Sequence, residues 1–564
     1  MELILATTLN PFSTETRCTA TKLKICRSRP TAAATSCWQG LNAFSSSKTG
    51  LWVLSGRWIA APGCVIKCSV FSSESSSFST SQSASLREIP GSYGLPVFGP
   101  LKDRLDFFWF QGENQFYKAR MDKYESTVFR VNFPPFPPGF PYSRGVALLD
   151  QKSYGVLYDT SKVQKEDMFT GSFAPSKDFT GGYRMLAALD PSHEKHTILK
   201  SMLFELLKVN RTRTIFEFSK AFAETFDAVE RQISQGKQVD FYSSTQKFVL
   251  DFLIRTIVHR DPAKPGHASL ANDGPSLFQT WIGVQYGGIA QSGLPHIVEE
   301  FALHNFPLPF FLVKGMYGRI YKFFRTYATE AIAVASSKFG LDREEATHNL
   351  IFILGVNAWL GLIRLFPAII YHVANGGSEL QGRLRAEVRS SASSTRAGLT
   401  AEAIASMPLI RSTVLEVLRL SAPAKYQYAR AKTDLIIESH DAAYMIKKGE
   451  LLGGCLHFAS RDPAVFDDPE TFVADRFMGE KGKKLLPNLL WSNGYNHQPA
   501  TAVNKQCGGK DLVEHISCLF LAELFTRYDS FQIAEPASIY SYPPRIKFTS
   551  MQKASSPSRI PVPV

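Results

Sequence analysis

The chain has 564 residues, 44% of them apolar and 20% charged, which suits one large globular body with a sizeable core. Its net charge of +13 would fit nucleic acid or an anionic membrane. Much of the excess lies in the first 86 residues, whose only acids are Glu2, Glu15 and Glu74, and no basic run carries interleaved aromatics, so no nucleic-acid partner is expected.

Residues 1–86 are basic, rich in Ser, Thr and Ala, and include the low-complexity run Ser72–Ser85. They lack an apolar core followed by a small-residue cleavage site, so a secretory signal does not fit. A plastid transit peptide with a disordered linker does, and the expected location is the chloroplast. Five of the eight cysteines lie here, which leaves Cys455, Cys507 and Cys518 for the body and no disulfide framework. The apolar run Phe352–Leu362 contains Asn357 and is shorter than the roughly 18 residues a membrane span needs, so no transmembrane helix is expected. Peripheral association with a plastid membrane stays open.

The body is expected to be one domain over residues 87–552, with a disordered tail at 553–564. It opens on an extended or turn-rich, proline-punctuated entry at residues 89–100. Strands are expected at 126–131 and 145–149, flanking the Pro/Phe loop Phe133–Pro141. Apolar residues at three- and four-residue intervals then predict helices over 196–207, 214–235, 241–258, 317–339, 343–367, 378–391 and 410–420. Asp342 with Glu345 reads as a capping box. Short strands follow at 434–439 and 443–447, and a last helix over 508–528. The fold class is mainly α with small β regions.

Four features in the C-terminal third occur in a fixed order. Glu416 and Arg419 stand at i and i+3, on one helix face. Arg430 lies beyond that helix. Arg476 sits in Phe472-Val473-Ala474-Asp475-Arg476-Phe477. Cys507 follows in Asn504-Lys505-Gln506-Cys507-Gly508-Gly509, just before the last helix. A thiolate at a helix N-terminus is stabilised by the free N–H groups, which should lower its pKa.

This order resembles the haem-thiolate cytochromes, the cytochrome P-450 superfamily, over nearly all of 88–550. The resemblance implies haem b, with Cys507 as axial iron ligand and Glu416, Arg419 and Arg476 as a buried network behind the haem. The alternative for Cys507 is a buried structural cysteine. Two departures narrow the match. The connection Tyr495–Val503 lengthens the loop before Cys507. The helix expected over the haem reads Ile353-Leu354-Gly355-Val356-Asn357-Ala358-Trp359-Leu360-Gly361, with no acid–alcohol pair to deliver protons to dioxygen.

Both departures resemble the plant branch that metabolises fatty-acid hydroperoxides. Phe169-Thr170-Gly171-Ser172-Phe173, Gly181-Gly182-Tyr183-Arg184, Glu344–Leu350, Ile437–Ala443 and Leu490–Gly494 add to that resemblance. It implies a fatty-acid hydroperoxide substrate and no reductase. It also implies that Asn357 holds the peroxide, or is a core amide satisfied by backbone. His196, Lys200 and Lys505 are cofactor-binding candidates; His196 and Lys200 would meet the haem propionates, or face solvent. Phe136, Phe140, Val356, Ala358 and Trp359 are candidate channel walls, or plain core. Lys425 is a candidate for the substrate carboxylate.

The product reading rests on the flanks of Asn357. Allene oxide synthases resemble Phe-Asn-Ser or Phe-Asn-Thr there, and lyases often carry Gly-Phe-Asn-Ala. Val356 and Ala358 supply neither ring nor hydroxyl, which favours a hydroperoxide lyase over an allene oxide synthase. Epoxyalcohol and divinyl ether synthases, a conventional monooxygenase and a haem protein without turnover stand behind. Pro138 aligns where many synthases carry an important Phe.

Overall fold

The computed structural model describes residues 85–555 apart from 265–268, 272, 290, 292–294, 394–398 and 540–543. Most of the expected transit segment and the end of the tail lie outside the described residues. Ser85 and Leu86 do not belong with that segment. Leu86–Arg87 pairs in parallel with the strand Ala443–Ile446, which places residue 86 inside the folded body. At the other end the strand Lys547–Lys553 carries order one residue past the expected boundary.

Helices dominate, with four small sheets. The largest sheet has five strands in the order Val128–Asn132, Arg144–Leu148, Leu451–Cys455, Tyr426–Ala431, Val163–Gln164. The expected helices form as Glu194–Val209, Arg211–Ser234, Phe241–Ile257, Gly377–Ser393, Pro408–Leu420 and Lys510–Arg527. Asp342 caps the helix that follows it, its carboxylate accepting from the Glu344 and Glu345 amides.

Several expectations need correction. The entry is not extended to its end, since the helix Phe98–Leu105 begins within it, and the helix Glu113–Tyr124 beyond it was not expected. The helix read over 317–339 is two, Lys314–Tyr327 and Thr329–Phe339, parted at Ala328 where ψ swings to 33°. The helix expected to end at Pro367 runs on. Arg343–Asn375 is continuous for 33 residues, long and apolar enough by composition to cross a membrane, with 67% of its apolar window buried inside the protein. Pro367 lacks one helical N–H, but Phe366, Ala368, Ile369 and Ile370 around it are fully buried. Packing of that face outweighs the lost hydrogen bond. The helix Gly274–Gln285 was not expected at all.

Against the long helix packs the last one, Lys510–Arg527. Phe366 stacks on Phe520, ring centroids 4.7 Å apart, within an aromatic cluster that includes Phe218, Phe222 and Phe248. This core fixes the last helix, and so the loop that delivers Cys507.

Candidate haem-thiolate site

Behind the cysteine loop, Glu416 is fully buried with two arginines on it. Arg419 grips it with two parallel bonds of 2.8 Å, and Arg476 donates at 2.9 Å. The Val473 amide adds a fourth bond at 3.0 Å. The remaining guanidinium donors end on the carbonyls of Ser460, Asp467, Asp468, Pro469 and Thr471. One carboxylate thus pins the segment 460–476 to the helix Pro408–Leu420. Arg430 stands apart from this network and bonds Ser172 Oγ at 2.7 Å.

A tight hairpin supports the cysteine. Leu490–Trp491 pairs with Gly494–Tyr495, and Ser492 and Asn493 both have positive φ, as a two-residue turn of this hand requires. The Cys507 amide donates to Ser492 O at 2.7 Å, and Asn493 Nδ2 donates to Lys505 O at 2.9 Å. Gly508 leaves room for Leu203, whose Cδ2 would lie 2.9 Å from an added Cβ. Cys507 is an exposed residue, yet desolvation pushes its thiol pKa up. The expected lowering at the helix N-terminus is present, through Gly509 N–H and Lys200, but desolvation outweighs it; a metal cation would reverse that balance.

Four basic groups gather near this loop: Lys165, His196 and Lys200 are buried and Lys505 is half-buried. Lys200 Nζ bonds the Asn504 carbonyl and side chain, Lys505 Nζ bonds Ala187 O, and His196 Nδ1 lies 3.1 Å from Ala502 O. The solvent-facing alternative for His196 and Lys200 therefore falls. Lys165, which the sequence reading missed, bonds Asn493 Oδ1 at 2.6 Å and Gln427 at 3.2 Å. Among the described residues none of the four has an ion-pair partner. Burial lowers Lys165 and Lys505 to about 7, Lys200 to about 8 and His196 to about 4. Such a cradle is built for carboxylates. With Cys507 beside them these groups fit haem: Cys507 would hold the iron, and the lysines and the neutral His196 would donate to the propionates.

On the long helix, Ile353–Trp359 is a π-turn, the kind of irregularity often found at functional sites. Asn357 is exposed there although Ile353–Gly355 and Trp359 of the same turn are buried, and Val356 and Ala358 are half-buried. No hydrogen bond engages the Asn357 amide among the described residues, so the core-amide alternative falls. Gly355 lets Phe278 and Trp281 close on the turn; an added Cβ would lie 2.7 Å from Phe278.

Other candidates are placed differently. Phe136 is buried among Phe107 and Phe108, and Phe140 sits edge-on to Phe173 and against Gly288. Both are core, as is Trp359, which is fully buried and donates to Gln246 O. Pro138 is exposed. Another ring that reaches the long helix is Phe169, edge-on to Phe352 at 6.1 Å in a cavity of about 220 Å³ also lined by Met185, Ala188 and Tyr286. Lys425 pairs with buried Glu113 at 3.1 Å, which also accepts from Tyr426. It is committed inside the protein, not held out for a substrate carboxylate.

Thiol, cation cradle and buried Glu–Arg network together define a haem-thiolate protein. The cytochrome P450 family model matches residues 369–544. Two divinyl ether synthases of Selaginella moellendorffii are 51% identical over 83% of this chain and 96% of their own, and 48% over 80% and 95%. The chloroplastic allene oxide synthase of Arabidopsis thaliana is 45% identical over 83% and 90%. The chain belongs to the cytochrome P450 family, in the branch that holds the allene oxide and divinyl ether synthases, and its cofactor is haem.

Proposed function

We propose that the chain rearranges polyunsaturated fatty-acid hydroperoxides with loss of water, giving a divinyl ether, without dioxygen or a reductase. The observation that carries the reaction class is Asn357. It is an accessible, unpartnered amide in a π-turn with no acid or hydroxyl on residues 353–361. A substrate that already contains its O–O bond needs no proton relay. Bound haem supplies one-electron cleavage of that bond.

The chain's residues do the rest. Asn357 donates an amide N–H to the peroxide and holds it in register. Cys507 would hold the iron and lend it electron density. Val356 and Ala358 keep the space apolar, so that water does not intercept the carbon skeleton while it rearranges. Lys165, His196, Lys200 and Lys505 would hold the propionates of bound haem.

For the product, the similarity to the two divinyl ether synthases supports a divinyl ether. The lyase reading keeps the support of Ala358, which offers no hydroxyl to assist proton removal. Incubation with linoleate and linolenate 9- and 13-hydroperoxides without reductant tests this. Divinyl ethers are expected. α-Ketols or cyclopentenones would assign allene oxide synthesis, and short aldehydes a lyase. Turnover that requires NADPH would overturn the reaction class.

Residues 1–84 act as a chloroplast transit segment in this reading; their composition and the chloroplastic names of allene oxide synthase relatives support it. Peripheral membrane contact has support from exposed Phe98, Phe110, Ile297, Phe301 and Phe311. Two of their elements are joined by the Arg104–Glu300 ion pair and the Trp109–His296 stack.

A further inference from the structure

A line of buried rings leads outward from the π-turn. Trp281 closes on Gly355, where an added Cβ would lie 3.1 Å from its ring. It stacks on Tyr317, centroids 5.3 Å apart and planes at 26°. The Tyr317 hydroxyl meets His348 Nδ1 at 2.5 Å. His348 stacks in turn on Tyr321 at 5.0 Å and leans on Tyr183 at 5.7 Å. These last two rings are half-buried, and their hydroxyls reach Glu344 and Asp342. Gly181, at φ +65°, makes room for the imidazole; a Cβ there would fall 2.1 Å from Nε2.

Aromatic packing alone does not require this polarity. A buried phenol and imidazole lose hydration that phenylalanine would never have had, and they recover it only by bonding each other. Burial also lowers the His348 pKa, so the ring is neutral at pH 7 and accepts the phenolic proton.

We propose that Trp281, Tyr317 and His348 form a redox relay that carries oxidising equivalents away from the substrate space, with Tyr317 holding the radical and His348 taking its proton. The relay rests on the hydroperoxide reading, which supplies the oxidant: a lipid alkoxyl radical that fails to rearrange. That radical takes one electron from Trp281 and one proton from solvent and leaves as the alcohol. Trp281 recovers its electron from Tyr317, whose phenolic proton moves to His348 Nδ1. An external one-electron donor of the ascorbate or thiol class, acting through Tyr321 or Tyr183, returns the electron, and His348 returns the proton. The relay's own sum is one alkoxyl radical, one electron and one proton to one lipid alcohol; the same donor returns the electron spent in cleaving the peroxide, so the whole is one hydroperoxide, two electrons and two protons to one alcohol and one water.

The test mixes haem-loaded enzyme with excess linoleate hydroperoxide, freezes it during turnover for electron paramagnetic resonance, and quantifies products from the same sample. The wild type should show a tyrosyl signal. Tyr317→Phe, which keeps the ring packing, should lose it. His348→Gln, which keeps a hydrogen bond but not a base, should weaken it. Both variants should start at wild-type rate and inactivate after fewer turnovers. Product without any tyrosyl signal, or a signal that survives Tyr317→Phe, overturns the relay. Absence of any product overturns the hydroperoxide reading, and the relay falls with it.

Discussion

Glu416 is one carboxylate facing two guanidinium groups, and all three are buried. Removing it leaves two charges without their counter-ion. Glu416→Ala should therefore cost about 3–5 kcal/mol in denaturant unfolding of the haem-loaded protein. Lys425→Ala should also act through stability, because buried Glu113 loses its cation. Its effect on KM should be the same for the free acid and its methyl ester; a selective rise for the free acid would restore the carboxylate role.

Lys165 gives a pH signature. Its pKa falls from 10.5 to about 7 in the folded chain. Below 7 both folded and unfolded chains carry the proton; between 7 and 10.5 only the unfolded chain does. Stability of the haem-free protein should therefore rise with pH across that window. Melting curves of wild type and Lys165→Met check this, since the variant should show a shallower rise, with only the shares of Lys505 and Lys200 left. Haem should flatten it too, because a propionate restores the charged form.

At the scale of elements, the π-turn decides most. Gly355→Ala should push Phe278 and Trp281 away and cost about 1–3 kcal/mol by overpacking, with a parallel loss of activity as Asn357 shifts. Val356→Phe with Ala358→Ser should move products towards ketols. An unchanged product profile would mean that the flanks of Asn357 do not steer the carbon radical. How much of this was legible follows from periodicity. His196 and Lys200 stand one helical turn apart, so their shared face could be read directly. The π-turn could not, because an i→i+5 step leaves no mark in a three-and-four pattern. Lys165 was also hidden: it follows a two-residue strand, and only the sheet pairing with Tyr426–Ala431 brings it to the cysteine loop. Phe169 was missed for a similar reason, its place fixed by contacts with Phe352 and Tyr286 that no local pattern encodes.

At the scale of the whole molecule, the helical class and the order of the C-terminal motifs were legible, because each motif is short and local. The unexpected helix Gly274–Gln285 is apolar on most sides: Leu277, Phe278, Trp281, Ile282 and Val284 are all buried. Its polar side is narrow, only Ser276, Gln279 and Thr280, which leaves a weak amphipathic stripe to read. The same saturation makes the core sensitive. Phe520→Ala should cost about 3–5 kcal/mol, and because that ring seats the last helix, haem retention should fall with stability.

The two-residue strand at Leu86–Arg87 has a consequence for how the chain matures. It closes an edge with Ala443 and Tyr444, and the Ala443 amide donates to Ser85 O. A processing protease that cut downstream of Ser85 would strip a partner from that edge and leave unpaired backbone beside Ile89, itself buried in the core. On the transit-segment proposal the fold limits where cleavage can fall: a cut before Ser85 leaves the first strand in place as a clasp.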